Sequence, residues 1–249
     1  MTGVIAFVDL DDTLFQTRGK CPPSWAEADL TPLGFARDGA ALSYATPRQL
    51  NFLEWLARTT MLIPVTGRSR DALTRAHVPH RAAICAHGGV ILGEDGTPDG
   101  EWAERMAVQA AAHGELLGQL VERIRVCARE RGEPLAVRVL EEAGMPLYVL
   151  AKHDAADAER LHAVIRAAVP VLPPGWTLHL NGNNAALLPP HLGKQHAVAW
   201  MLGQLRARHP NAAVVGIGDS LTDAPFMKLC DFAMLPPASQ LGERLFDAG

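Results

Sequence analysis

Three acids, Asp9, Asp11 and Asp12, close an apolar run from Val4 to Val8 in the stretch FVDLDDTLF. Carboxylates at the end of a buried strand cost several kcal/mol of desolvation each, of order, unless a cation or hydrogen-bond donors satisfy them. Asp9 and Asp11 are two apart, so an extended backbone points both to the same side. A second pair, Asp219 and Asp223, follows another apolar run in AAVVGIGDSLTD, and MLIPV runs into the polar turn Thr66-Gly67-Arg68. Four acids converging on one crevice would repel one another strongly without a cation among them. An oxygen-only ligand set completed by water suits magnesium, and a magnesium site of this kind calls for an anionic substrate, of which phosphate is the usual one.

Each piece alone has an ordinary explanation. A single D-x-D can be a capped turn, TGRS can be the capped start of a helix, and Lys194 behind Gly193 would usually be solvated. Gly216 and Gly218 resemble part of a dinucleotide fingerprint, but the third glycine is missing and Asp219 stands where pyrophosphate would lie. Cys21, Cys85, Cys127 and Cys230 form no C-x-x-C pair, and the ten histidines make neither H-x-x-x-H nor a triad-like pattern. The cysteines read as reduced thiols and the histidines as structural or solvated.

These residues have to be positioned by strands and helices that alternate. Residues 3–8 and 61–65 are continuous apolar runs, as expected of strands buried on both faces of a parallel sheet, and 212–220 reads as a further strand that ends in an acid. Thr46-Pro47 caps an expected helix over 46–57. A helix is expected at 70–78, a third strand and a turn at 81–92, and a Pro/Gly-rich connection at 16–45. A connection that long reads as a functional lid, or more plainly as a surface hairpin. The middle of the chain has another rhythm: helix 112–131, extended segments 135–141 and 146–152 around the turn EAGM, helix 154–169, extended segments 176–182 and 184–189. Helix-strand-strand twice over predicts an antiparallel sheet with two helices on one face. The α/β body resumes with helix 193–205, a strand ending at Asp219, a short helix at DAPFMKLC and a last strand at 231–235. The expected fold is α/β, a doubly wound Rossmann-like parallel-sheet core (1–103 and 188–249) with an inserted α+β cap of αββαββ pattern (104–187).

Composition agrees with a packed enzyme-sized protein. The chain has 249 residues, is 48% hydrophobic and 20% charged, and carries a net charge of -4. That argues against disorder and leaves no basic excess for nucleic acid. No stretch approaches the roughly 20 apolar residues that span a bilayer, and the N-terminus lacks the basic start of a signal peptide. A soluble, cytoplasmic protein is expected; the oligomeric state is not legible.

Taken in order, strand then D-x-D-x-T, strand then T-G-R, G-K at a helix start, and strand then G-D-x-x-x-D resemble the haloacid dehalogenase (HAD) superfamily of aspartate-nucleophile phosphatases. DLDDTLF looks like its first motif, PVTGRS the second, Lys194 the third and GDSLTD the fourth, so the resemblance spans residues 4–235. The insertion before Lys194 is similar to the α+β cap of Cof-type, sucrose-phosphatase-like and mannosyl-3-phosphoglycerate-phosphatase-like members. Two positions depart from those branches: Thr222 stands where they usually have Asn, and His87-Gly88 where they often have NG. The resemblance implies catalysis by Asp9 as nucleophile and Asp11 as acid and base. It implies phosphate binding by Leu10, Thr66, Gly67 and Lys194, and magnesium held by Asp9, Asp11 (through its carbonyl), Asp219 and Asp223, with Asp223 also able to orient Lys194. The implied activity is hydrolysis of a small phosphomonoester, such as a sugar phosphate. A phosphomutase of the same fold, or a non-catalytic phosphate-binding regulatory protein, are the alternatives. Arg138, Tyr148, Lys152, Asn181 and Asn183 are polar or aromatic positions of the cap and candidates for substrate selection.

Overall fold

The computed structural model describes residues 3–246. The chain divides into two compact units, one holding the chain up to Asp99 and again from Lys194, the other Gly100–Gly193. The inserted unit is therefore wider at both ends than the expected 104–187.

The first unit opens with β1 (Val4–Val8), buried at every residue but the first. Behind it come β2 (Gln16–Thr17), β3 (Thr31–Phe35) and β4 (Ala41–Ala45), a small antiparallel sheet in the order β2-β4-β3. The 16–45 connection thus contains a β3–β4 hairpin widened to three strands by β2. The helix α1 (Pro47–Thr59) starts as its sequence suggests: the Thr46 hydroxyl accepts the Gln49 amide, the Gln49 side chain accepts the Thr46 amide, and Pro47 takes the first turn. β5 (Met61–Pro64) follows, fully buried.

The next stretch departs from expectation. α2 (Arg70–Leu73) is a single turn rather than a helix over 70–78. The backbone beyond it is claimed by β3: the His77 amide donates to Leu33, the Phe35 amide to Arg75, and Ala76 bridges to Gly34. Residues 81–92 hold the expected strand and turn, β6 (Ala83–Cys85) with Ala86 and His87 at positive φ after it, and a second strand, β7 (Val90–Leu92), that closes them into a short hairpin.

In the second unit, α3 (Gly100–Ala111) precedes the expected helix α4 (Gly114–Arg131). β8 (Leu135–Glu142) and β9 (Met145–His153) form a hairpin whose two turn residues, Ala143 and Gly144, both have positive φ, as a tight two-residue connection requires. α5 (Ala158–Ala168), β10 (Thr177–Asn181) and β11 (Asn184–Leu188) complete a sheet of order β10-β11-β9-β8. Val137, Val149, Ala151, Ala185 and Leu187 alternate to one face and pack with Leu117, Leu120 and Ile124 of α4 and Leu161, Val164 and Ile165 of α5.

The first unit resumes with α6 (Lys194–Arg208), β12 (Ala213–Ile217), α7 (Ala224–Met227), β13 (Phe232–Met234) and α8 (Gln240–Phe246). Its main sheet has the order β13-β12-β1-β5 with every pairing parallel. Val65 bridges in parallel to Ile84, which brings β6 beside β5. Ala6, Val8, Leu10, Leu14 and Phe15 build one core with Leu53, Leu56, Leu62, Leu73 and Cys85. The register decides the site: Val8 pairs with Ile217 on one side and Pro64 on the other, so β1, β12 and β5 end level, and Asp9, Asp219 and Thr66 leave the sheet at one edge. All four cysteines are free thiols. Among the described residues no helix is long and apolar enough to cross a membrane.

Candidate active site

Asp9 is the first residue past β1, and its amide still donates to Ile217, so the strand geometry carries through to the acid. The chain then turns. Leu10 is wholly buried and its carbonyl accepts the amides of Leu14 and Phe15, so what it offers a ligand is backbone. Asp12 sits at φ 69 and its amide donates to Phe15. The Thr13 hydroxyl returns to the acids, 3.1 Å from Asp219 Oδ1 and 3.4 Å from Asp9 Oδ2.

Lys194, the first residue of α6, puts its Nζ 2.6 Å from Asp9 Oδ1 and 2.6 Å from Asp223 Oδ1. The lysine is 6% exposed, far from the solvated state of an isolated lysine. Asp223 is completely buried, and its Oδ2 accepts the Ser220 amide and hydroxyl. Both Asp223 oxygens are therefore engaged, which suits orientation of Lys194.

The electrostatics follow from burial and charge count. Burial pushes the Asp9 carboxyl well above its usual range, Asp223 and Asp219 add to the push, and Lys194 offsets only part of it. Asp219 is raised to about 6 by burial, with Asp223 and Asp12 adding to it. Burial works the same way on Asp223, but Lys194 and the Ser220 donors outweigh it and hold that carboxyl below its ordinary value. Burial alone would lower Lys194; Asp223 and Asp9 more than reverse it and keep the ammonium charged.

Carboxylate oxygens of Asp9, Asp219 and Asp223 lie within 4.8 Å of one another. Three buried acids against one lysine leave an excess of negative charge, and the donors are all oxygen. This chemistry fits a hard divalent cation such as magnesium. The Asp11 carboxylate is not in the cluster. It is held in a two-pronged pair by Arg68, whose Nε is 2.8 Å from Oδ2 and whose terminal nitrogen is 2.7 Å from Oδ1. Any part for Asp11 in holding a metal is left to its backbone carbonyl.

Thr66 is 1% exposed and its hydroxyl accepts the Arg68 amide. Gly67 is required by a close approach: a Cβ there would stand 2.5 Å from Cε1 of His87. His87 is buried, and its backbone amide donates to Thr66. Its burial against Gly67 agrees with the structural part expected of the histidines. Arg68, Thr13 and Ser220 were visible in the motifs but carried no assigned part.

The five candidate selection residues lie in the second unit. The pairings Arg138–Leu150, Leu140–Tyr148 and Ala136–Lys152 place Arg138, Tyr148 and Lys152 on the sheet face opposite α4 and α5, and the alternation of β10 puts Asn181 there too. Tyr148 is 2% exposed, and burial raises its phenol. Asn183 is in the β10–β11 turn, where its side chain accepts the His153 amide and donates to the His153 carbonyl. Its polar atoms serve the hairpin.

Comparison with known proteins turns up no matching family model and no matching curated protein. Solved structures do match. The C-terminal domain of the C. albicans trehalose-6-phosphate phosphatase is 14% identical with a TM-score of 0.53, over 91% of this chain and 73% of that one. The Synechocystis sucrose-phosphatase, solved with sucrose and phosphate, is 15% identical with a TM-score of 0.51, over 98% of this chain and 96% of that one. A HAD-superfamily phosphatase of Bacteroides thetaiotaomicron is 13% identical with a TM-score of 0.43, over 98% and 94%. The structural neighbours are HAD superfamily phosphatases, and this chain has their fold, a Rossmann-like core with an inserted cap.

Proposed function

We propose that the protein is a magnesium-dependent phosphomonoester hydrolase working through an aspartyl-phosphate on Asp9, with a sugar phosphate or a similar small phosphorylated metabolite as substrate. The observation that carries this reading is the buried lysine shared between two acids, Lys194 between Asp9 and Asp223 at 2.6 Å each. A lysine so placed neutralises the strand-end carboxylate and is ready to meet an incoming phosphoryl oxygen. The fold shared with sucrose- and trehalose-6-phosphate phosphatases supports the substrate class.

In this reading an Asp9 carboxylate oxygen attacks phosphorus while the bond to the leaving oxygen breaks and Asp11 supplies that oxygen with a proton. Water then attacks the acyl phosphate, Asp11 takes its proton, and inorganic phosphate leaves with Asp9 restored. Thr66, the Gly67 amide, the backbone at Leu10 and Lys194 bind the phosphoryl oxygens, the electrostatic work on which phosphoryl transfer chiefly depends. Asp9 and Asp219 would hold magnesium, with the Asp11 carbonyl and Asp223 at the margin of the set. When bound, the ion would neutralise charge on the transferring phosphoryl group. Thr13 ties Asp9 to Asp219 and keeps the two aligned.

The test is release of inorganic phosphate from p-nitrophenyl phosphate and a panel of hexose phosphates, with wild type and Asp9→Asn, in magnesium and in excess chelator. Turnover abolished by Asp9→Asn and by the chelator is expected. Isomer interconversion without phosphate release would make the protein a mutase instead.

A further inference from the structure

The turn between β12 and α7 carries Asp219 and Asp223, and its own hydrogen bonds account for only part of its backbone. The Ser220 carbonyl accepts the Asp223 amide, and the Ser220 amide and hydroxyl both donate to Asp223 Oδ2. The Asp219 carbonyl and the Leu221 amide, on either side of Ser220, are satisfied from outside the turn. The Leu241 amide donates to the Asp219 carbonyl at 2.9 Å, and the Leu221 amide donates to Gln240 Oε1 at 2.8 Å. Gln240 and Leu241 are the first two residues of α8, where backbone amides have no partner within the helix and are free to serve another segment.

That segment is itself held in place. The Ser239 hydroxyl accepts the Gly242 amide at 3.1 Å and the Ser239 carbonyl accepts the Glu243 amide, which caps α8. Gly242 lies so close to the chain before it that a Cβ there would stand 1.9 Å from the Pro237 carbonyl oxygen. The Asp219 carboxylate is fixed separately, by the Thr13 hydroxyl on Oδ1 at 3.1 Å. Thr13 therefore sets the direction of the carboxylate, and the start of α8 sets the main chain from which it springs.

We infer that Gln240, with the Leu241 amide beside it, is a positioning residue of the metal site, fixing the Asp219–Leu221 main chain so that the Asp219 carboxylate is held for a divalent cation. The inference rests on the reading of Asp219 as a metal ligand. Magnesium demands near-ideal geometry at about 2.0–2.1 Å from each oxygen, so a loosened turn is felt in affinity for the ion. Gln240 is exposed, so shortening it leaves no cavity, and water can take up the Leu221 amide.

The experiment titrates magnesium by calorimetry into wild type, Gln240→Ala, Gln240→Glu and Asp219→Asn, in enough salt to screen an added surface charge. Melting temperatures are taken in chelator. Glutamate keeps an oxygen to accept the Leu221 amide, and alanine does not. Partners of a metal ligand are typically worth about ten- to a hundredfold in affinity, and Gln240, one bond further out, is expected to be worth about three- to tenfold. Gln240→Ala should show that loss with a melting temperature within a few degrees of wild type, and Gln240→Glu should bind magnesium at least as well as wild type. Wild-type affinity in Gln240→Ala, or equal losses in the alanine and glutamate variants, would overturn the inference. Asp219→Asn separates the two claims. If it weakens magnesium binding while Gln240→Ala does not, only the inference falls. If it binds magnesium as wild type does, or wild type binds none, the reading of Asp219 falls and this inference with it.

Discussion

Lys194 Nζ and Asp223 Oδ1, 29 positions apart in the chain, meet at 2.6 Å in a place where the acid has no exposed surface. A pair so deep is costly to break from one side, because the partner stays behind as an uncompensated buried charge. Lys194→Ala strands two such acids, Asp9 and Asp223. The expected loss of folding stability is about 3–5 kcal/mol, read as a lowered midpoint in urea. Phosphatase turnover should fall by about 2–4 kcal/mol in transition-state terms, as when one oxyanion donor is removed. A variant as stable and as active as wild type would return the lysine to a bystander.

Asp9→Asn makes the opposite stability prediction. The folded-state pKa of Asp9 is raised. A raised carboxyl binds its proton more tightly folded than unfolded, so stability falls as pH climbs past the unfolded value and the ionised form is the strained one. An amide keeps the size and can still accept from Lys194, without the charge. In chelator at neutral pH this variant should melt at or above the wild-type temperature while losing turnover. A melting temperature well below wild type would mean that ionised Asp9 holds the fold together.

Magnesium should stabilise the protein in a pH-dependent way. Asp219 moves from 3.8 to about 6 in the folded chain. Between these values the folded state carries more protons at this site than the unfolded one, so without metal its contribution is lost as pH rises through that window. Asp223, shifted downward, acts with the reverse sign and only toward acid. A cation competes with the proton for the same oxygens. The magnesium-induced rise in melting temperature should therefore be small at pH 5 and larger at pH 7.5. Equal shifts at both, or none, would contradict a site built on Asp219.

The sequence showed the strand ends clearly, because strands buried on both faces carry unbroken apolar runs and an acid at the end of one is costly without a purpose. Asp9, Thr66, Asp219 and Asp223 were legible for that reason, and the parallel register of β1 with β5 and β12 brings their strand ends level; Lys194, at the start of a helix, was legible only through the order of the motifs. The Asp11 environment was not legible. Arg68 reads as part of a common turn, and its guanidinium rests beside Gly34 and Ser43, which belong to a connection with no apolar period to announce its strands. The 70–78 segment has helical spacing, but β3 takes its backbone after one turn. α3 was missed although Trp102, Met106 and Ala110 recur at helical spacing and are all buried; its acidic, glycine-led start carries no cap to mark it.

The last prediction concerns the second unit. Arg138, Lys152 and Asn181 share the sheet face away from α4 and α5, with Arg138 and Lys152 exposed and Asn181 half-buried. Exposed polar side chains on a sheet whose other face makes the core contribute little to folding, so replacing all three with alanine should leave the melting temperature within a few degrees. Tyr148 on the same face is buried and is left alone, since truncating an aromatic of this kind costs about 3–5 kcal/mol. If this face chooses the substrate, the triple variant should change the ratio of kcat/KM between hexose phosphates by tenfold or more, of order 1.4 kcal/mol. The small aryl ester p-nitrophenyl phosphate should be hydrolysed as before. Unchanged ratios across the panel would remove these three residues from substrate choice and direct the search to the first unit.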